Sequence, residues 1–462
     1  MAIKFKQCTL ATLVGLACLP SSAVDLTGHS LELKSRLVKF DVDLEGTAKD
    51  FQQTALGLQL DYKSPFVSDK FGFDFSAYHV NKLGESTLQK NEMLPNVAGT
   101  SDKVVNSWNQ LGQAYVKFQH DDLVSAKIGR QQHDSLLLRS TNSRAVPDTY
   151  SGYSFALKPL QSVKFYGAVY DSYLPRRGDK FQKFGTDEYA SGTSGPQKNT
   201  IDNITIYGTQ YKQGPIQIDF ESLNSKNYLQ KYGVVGSYTL PLQASDSLKF
   251  SLGHSTTKDD GSLFTCKAEK DWDQTVVGGV CKNNGRGNFA QTDWRTGDWV
   301  LTGAVAKFNG LWIEDNFAVN NVSSKGTLTA DPGSNFFPTA AISGNDLTND
   351  GELARLFRVS YDWKRHVPGL KTTVGKTIGT GAKNSANVAS PATGSESERQ
   401  IDVQYAIPYV KGLNFRYIHL KYKADVIANS GGAGAIGAIN STESGIFRTD
   451  NRLYLDYTYR FF

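Results

Sequence analysis

The chain lacks most of what soluble enzymes and helical membrane proteins are built from. Its 462 residues include only 4 Cys and 2 Met. No run beyond the first two dozen residues approaches the ~20 apolar residues of a spanning helix, and mean hydropathy is negative, so a helical membrane protein is excluded. No H-E-x-x-H, G-x-S-x-G or Walker sequence is present, and the 7 His are scattered, so no catalytic or metal motif is assembled and no cofactor is implied. A large excess of one charge sign is missing too. A formal net charge of +5 is too mild for a nucleic-acid binder, whose basic residues should also cluster.

What is present begins with a secretory leader. Lys4 and Lys6 precede the apolar run from Leu10 to Leu19, and Ser21-Ser22-Ala23 offers small residues for cleavage, so residues 1–23 read as leader and 24–462 as the mature domain. Cys18 could mark a lipid-modified start, but Gly15-Leu16-Ala17 before it is a poor lipoprotein match. Cleavage lowers the net charge from +5 to +3 and leaves Cys266 and Cys281 as one pair inside a single Gly-rich loop. In an oxidising compartment such a pair is expected as a disulfide rather than a metal site.

The mature chain then repeats one beat: two stretches of alternating hydrophobicity, a tight joint, a long polar loop. The tight joints read as Pro65 to Asp69, His120 to Asp122, Lys158 to Leu160, Gln213 to Pro215, Pro241 to Ser245, Asn309 to Gly310, His366 to Gly369 and Pro408 to Gly412. Strand candidates begin near 29, 51, 70, 109, 123, 152, 161, 201, 215, 227, 247, 296, 310, 353, 370, 398, 411 and 448. Eighteen is an even count, and one rim of turns facing one rim of loops is the pattern of a transmembrane antiparallel β-barrel, an all-β fold. Phe71, Phe73 and Phe75 alternate with Gly72, Asp74 and Ser76, and Val359 and Tyr361 alternate with Arg358 and Asp362. The apolar rows are expected to face lipid, and the charges set deep in the strands a wet lumen. The last strand ends on a row of Leu453, Leu455, Tyr457, Tyr459 and Phe461, resembling the signal by which such barrels meet their assembly machinery.

Lys34 and Arg36 share the polar row of the first strand, Lys127 that of the fifth, and Arg358, Arg416 and Arg452 those of later strands. In a closed barrel the first and last strands are neighbours, so Arg416, Arg452, Lys34 and Arg36 fall on adjoining staves. The bland alternative is a generic wet lumen with salt bridges to Glu32, Asp362 or Asp456. After Tyr417 the polar row reads as swapping to His419, Lys421 and Lys423 through a bulge. Gly432-Ala433-Gly434-Ala435-Ile436-Gly437 matches a dinucleotide fingerprint by letter, but it sits in a small-residue loop with no following helix in prospect.

Residues 126–155 carry the most specific pattern: Gly129-Arg130-Gln131, then Ser143-Arg144-Ala145-Val146-Pro147, then Tyr150-Ser151-Gly152. This resembles the third-loop region of the OprD-type porins, the outer-membrane carboxylate channels. Lys411-Gly412-Leu413-Asn414-Phe415-Arg416 and Asn451-Arg452-Leu453 resemble the family's late strands. The resemblance implies an eighteen-stranded barrel whose third loop folds inward to narrow the pore against a basic ladder. By position the ladder would be Arg36, Arg130, Arg416 and Arg452 with Lys34 and Lys127 beside them, Arg358 joining the substrate pathway from its polar row, and the constriction loop would present Asp134, Arg139, Ser143, Arg144 and Asp148. His133 and Leu136 stand where the family often has proline, and Ile418 where a basic residue is frequent.

The expected function is a passive channel for small carboxylate-bearing solutes, amino acids or organic and aromatic acids, in the outer membrane of a Gram-negative bacterium. Its surroundings would be membrane lipid and lipopolysaccharide. Two other classes stay open: an outer-membrane barrel hydrolase, which needs a clustered nucleophile and base, and a secreted β-rich adhesive, which needs a polar outer face.

Overall fold

Alternation with a period of two commits each strand to two faces. The computed structural model describes residues 26–44, 50–84, 93–95, 97, 103–189, 198–243, 246–263, 284–310, 312, 318–319, 336–340, 342, 347–383, 393–424, 426–429, 432–435 and 447–462. The wall is built from β1 (Ser30–Leu44), β2 (Phe51–Lys63), β3 (Phe71–Lys82), β4 (Ser107–His120), β5 (Val124–Gln131) and β6 (Thr149–Leu160). It continues through β7 (Val163–Leu174), β8 (Ile204–Gln213), β9 (Ile216–Ser225), β10 (Leu229–Pro241), β11 (Ser247–Asp259) and β12 (Asn284–Thr296). Its last six are β13 (Trp299–Asn309), β14 (Leu353–Asp362), β15 (Leu370–Lys383), β16 (Thr393–Ala406), β17 (Leu413–Ala424) and β18 (Phe447–Arg460).

Each strand pairs antiparallel with the next, and β1 closes on β18 from Glu32↔Arg460 to Leu44↔Arg448, so an eighteen-stranded ring is left with no edge. Both ends of the wall meet at the turn rim, where the Leu31 amide donates to the Phe462 carbonyl. No helix of the described chain is long and apolar enough to cross a membrane.

Seven of the eight tight joints lie close to where the alternation puts them. The eighth is corrected: the turn is Gly297–Asp298 between β12 and β13, with Gly297 at φ 55°. Asn309-Gly310 instead ends β13 at the loop rim, where Gly310 (φ 66°) donates its amide to Asp350. An Asn-Gly pair supplies the left-handed residue that a hairpin needs, and here the same freedom serves a strand exit. β12 and β13 therefore begin at 284 and 299 rather than near 296 and 310. Gly432–Ala435 is a short strand paired with Val426–Asn429, which removes the strand-to-helix context a nucleotide fingerprint needs.

The outer face carries a broad apolar band: Phe73 is 51% exposed, Ile128 67%, Leu252 67% and Phe357 60%. Exposure of this extent marks a lipid-facing surface and rules out the polar outer face an adhesive needs. At the turn rim Trp299, Tyr361 and Trp363 pack ring on ring, and Tyr62 stacks on Phe75, forming the aromatic girdle of a membrane interface.

The interior divides into two halves, which the expectation of a wet lumen did not contain. On β1 the inward row is Glu32, Lys34 and Arg36 near the turn rim, then Val38, Phe40, Val42 and Leu44 near the loops, all four buried. Loop residues supply the apolar partners. Met93, Leu94, Ala145 and Val146 pack with that row, and Leu137, Leu138, Trp312, Phe336 and Phe337 fill the other side. Burying such side chains stabilises by roughly 1.5–3 kcal/mol each.

The bulge expected after Tyr417 is absent. β17 keeps unbroken register with both neighbours, Ile418, Leu420 and Tyr422 point inward, and His419, Lys421 and Lys423 point outward. At that height the inward side chains pack into an apolar fill and the lysines are exposed on the outside, so the polar row is the outer one.

Candidate functional site

The third loop, residues 132–148, is held from opposite walls. On β9, ninth around the ring, the buried Glu221 carboxylate accepts from the Leu136 and Leu137 amides and the Ser135 hydroxyl, each at 2.9 Å, and from the Tyr166 hydroxyl at 2.7 Å. Across the ring, Arg36 of β1 donates to the Asn142 and Arg144 carbonyls, and the Tyr454 hydroxyl of β18 donates to the Ser143 carbonyl at 3.2 Å. Two inward glycines make room for it. A Cβ on Gly57 of β2 would stand 2.1 Å from the Ala145 carbonyl oxygen, and one on Gly233 of β10 would stand 3.0 Å from Leu137.

Within the loop, Asp148 is fully buried, accepting from the Thr141 amide at 2.6 Å and the Tyr173 hydroxyl at 2.8 Å. The Ser143 hydroxyl receives Arg144 at 3.1 Å and Arg176 at 3.0 Å, and the nearly buried Arg144 guanidinium lies over Phe40. Ser143, Arg144 and Asp148 therefore brace the loop. Asp134 and Arg139 face open space and pair with each other at 2.7 Å. His133 packs among Tyr150 and Tyr170 and bonds the Tyr170 hydroxyl at 2.9 Å; burial pushes its imidazole down to about 4.

The ladder candidates divide by their partners. Lys34 pairs with Asp61 at 2.7 Å, Arg36 grips Asp456 at 2.5 and 2.8 Å, and Arg416 forks onto Asp402 at 3.1 and 2.7 Å. Arg452 is buried, paired with Asp450 at 2.7 Å, bonded to the Ile342 carbonyl and stacked on Phe40. Arg358 is inward and half-buried, with its Nε lacking a partner among the described residues. Arg130 lies over the Phe181 ring and donates to the Leu111 carbonyl at 3.2 Å. Cys266, Cys281 and residues 1–23 lie outside the described residues.

Two cavities adjoin below the third loop. The larger, about 690 Å³, is lined by Lys127, Lys164, Gln132, His133, Asp134, Arg139, Ser125, Ser154, Gln210 and Asp219. The smaller, about 180 Å³, contains Lys34, Asp61, Asp74 and Tyr115 and shares Lys127 and Gln132 with the first. Among the described residues neither Lys127 nor Lys164 forms an ion pair; each ammonium lies over a tyrosine ring, Tyr115 at 4.9 Å and Tyr166 at 5.3 Å. Lys34, Lys127, Asp134 and Arg139 thus reach the cavities, whereas Arg36, Arg130, Arg358, Arg416 and Arg452 line neither.

Sequence reasoning missed Lys164, the Glu221 anchor, and a second inward segment. In that segment Trp312 donates to the Ser255 hydroxyl at 3.1 Å, and Phe336 and Phe337 pack on Phe289. The pair Phe336-Phe337 in an otherwise polar loop was the available signal. Lys164 was visible on a polar row, but nothing in the local sequence shows that it lacks a partner.

A family model described as "outer membrane porin, OprD family" matches residues 26–460. Similar solved structures include Acinetobacter baumannii OccAB2 (TM-score 0.74, 18% identity, 94% of this chain and 99% of that one). Pseudomonas aeruginosa OccK8 (OprE) gives 0.73 at 16% identity, covering 94% and 99%. Pseudomonas aeruginosa OpdK, solved with vanillate, gives 0.71 at 18% identity, again covering 94% and 99%. None of the curated proteins is similar to it in sequence.

Proposed function

Because the chain belongs to the OprD family of outer membrane porins, and so to the outer membrane of a Gram-negative bacterium, we propose that it is a selective channel for small carboxylate-bearing solutes. The observation that carries this reading is the pair of unmatched ammonium groups, Lys127 and Lys164, in the 690 Å³ cavity below the third loop. A carboxylate loses much hydration free energy in a narrow passage. Charge-assisted hydrogen bonds from successive lysines offset that loss.

Lys164 and Lys127 follow one another, and Lys127 opens onto both cavities, whereas Lys34 in the second is already matched by Asp61. Several moderate contacts conduct better than one tight one, since the solute must also leave. Asp219 and Asp134 in the same cavity give a zwitterion's ammonium a partner, so amino acids fit as well as organic acids. Vanillate bound in OpdK is itself a carboxylate, which supports the substrate class.

The third loop, seated on both walls, is the constriction in this reading. The outer surface would sit among lipid and lipopolysaccharide, and the aromatic-ended β18 would be read by the assembly machinery. A Cys266–Cys281 disulfide belongs to the same proposal; free thiols in non-reduced peptides of membrane-extracted protein would argue against it. The channel itself is tested by uptake into proteoliposomes. Benzoate and small amino acids should enter faster than neutral analogues of equal size, and equal rates would remove the carboxylate reading.

A further inference from the structure

The outward rows of β14 to β17 carry a feature that solute passage does not use. Arg355, Lys376, Arg399 and Lys421 stand on four consecutive strands, all exposed and all on the lipid side of the wall. Register sets Lys376 directly opposite Arg399, and Arg399 directly opposite Lys421. Directly opposed side chains on one sheet face lie ~4.5–5.5 Å apart at Cβ, and like charges so placed repel. None of the four forms an ion pair among the described residues, and the outward rows of these strands present no carboxylate there. On β1, by contrast, the outward Lys39 has Asp41 at 3.7 Å.

Height supplies a second observation. On β3 the outward row runs Phe71, Phe73, Phe75 and Ala77 before the first polar residue, His79. On β16 it runs Tyr405, Val403 and Ile401 before Arg399, and on β14 Tyr361, Val359 and Phe357 before Arg355. The apolar run before the first polar residue is therefore one residue shorter on β14 and β16 than on β3, and it is a cation that ends it.

We propose that the outer face of β14 to β17 binds the phosphate groups of lipopolysaccharide, the anionic glycolipid of the outer leaflet. The inference rests on the chain's place in the outer membrane and is independent of what the pore carries. A phosphate bridging Lys376, Arg399 and Lys421 converts their mutual repulsion into charge-assisted hydrogen bonds, and the arginine gives it a planar, two-pronged donor.

The test compares the whole protein in nonionic detergent with Arg399→Ala plus Lys421→Ala, and with a control lacking an outward cation that already has a carboxylate partner, Lys39→Ala. Binding of purified lipopolysaccharide and of its enzymatically dephosphorylated form is measured by native mass spectrometry. Heat-modifiable electrophoretic mobility verifies the barrel of each variant. The β16–β17 variant should bind the phosphorylated glycolipid about tenfold more weakly than wild type, the loss expected when charge-assisted contacts vanish. The control should match wild type, and the dephosphorylated form should not tell the proteins apart. Equal binding by wild type and the β16–β17 variant overturns the proposal, as does a difference that survives dephosphorylation. Loss of self-association with glycolipid binding unchanged also overturns it, since the face would then belong to a second copy. Benzoate uptake should be the same in all three proteins, so this result stands apart from the channel's selectivity.

Discussion

Two walls of one lumen treat positive charge in opposite ways. On β1, β17 and β18 every inward lysine or arginine among the described residues has a carboxylate in reach. Lys34 has Asp61, Arg36 has Asp456, Arg416 has Asp402, Arg448 and Arg452 share Asp450, and Arg460 has Glu32. On β5 and β7, Lys127 and Lys164 form no ion pair there and face the large cavity. A cation already matched adds little net field to a pore, because its partner's opposite charge lies within a few ångströms and the pair is screened as a dipole. The difference teaches that a count of basic residues overstates an attractive wall; in the proposed reading, selectivity falls to the pair on the poorer wall.

The contrast depends on the third loop staying seated, so the largest effect should come from its anchor. Glu221→Ala leaves the Leu136 and Leu137 amides and the Tyr166 hydroxyl without their acceptor, while Ser135 keeps the Leu138 carbonyl, at about 1–3 kcal/mol for each buried group left unsatisfied. The expected outcome is a released loop, seen as higher and noisier single-channel conductance in a barrel that still migrates as folded. An unchanged trace would mean the loop is held from the β1 side alone.

Next in size is Arg36→Lys. Lysine keeps the charge but not the planar fork that reaches Asp456 and the Asn142 and Arg144 carbonyls together. Loop fluctuation should rise with ion selectivity nearly constant. If selectivity falls instead, Arg36 acts on the solute and the two walls are more alike than the pairing indicates.

A smaller effect is expected from pH. His133 is held neutral by burial, with its imidazole near 4 against the ordinary 6.5. A group whose folded-state value is depressed binds protons more readily when released, so the packing around it is most stable above 6.5 and weakens as pH falls toward 4. Channel flicker should therefore increase on acidification through that window. His133→Gln, which keeps a polar partner for the Tyr170 hydroxyl but cannot titrate, should remove the dependence. Flicker with the same pH profile in the variant would assign it to another group.

Strand number and closure could be read from the chain because turns and loops alternate and each strand alternates in polarity. The same rule misled at the loop rim. It labels the polar row of a strand as lumenal, yet near the loops the lumen is filled by Ile418, Leu420 and Phe40 while His419, Lys421 and Lys423 point outward. Asn309-Gly310 shows the limit of a dipeptide signal, since one left-handed glycine serves a hairpin and a strand exit equally. The ladder positions were visible as types, but their counter-ions were not. Arg36 and Asp456 are separated by 420 positions, and only closure of the ring brings them together. Lys164 went unremarked for the complementary reason: nothing local shows that a lysine lacks a partner.

The most direct measurement is the reversal potential of single channels under a salt gradient, comparing two double variants. Lys127→Gln with Lys164→Gln removes two unmatched charges, whereas Arg416→Gln with Asp402→Asn removes one matched pair and leaves the net charge alone. The first should lose most of its anion preference together with its benzoate uptake, and the second should stay close to wild type on both. A shift as large in the Arg416 and Asp402 variant, or none in the Lys127 and Lys164 variant, would contradict the claim that the unmatched lysines set what the channel admits.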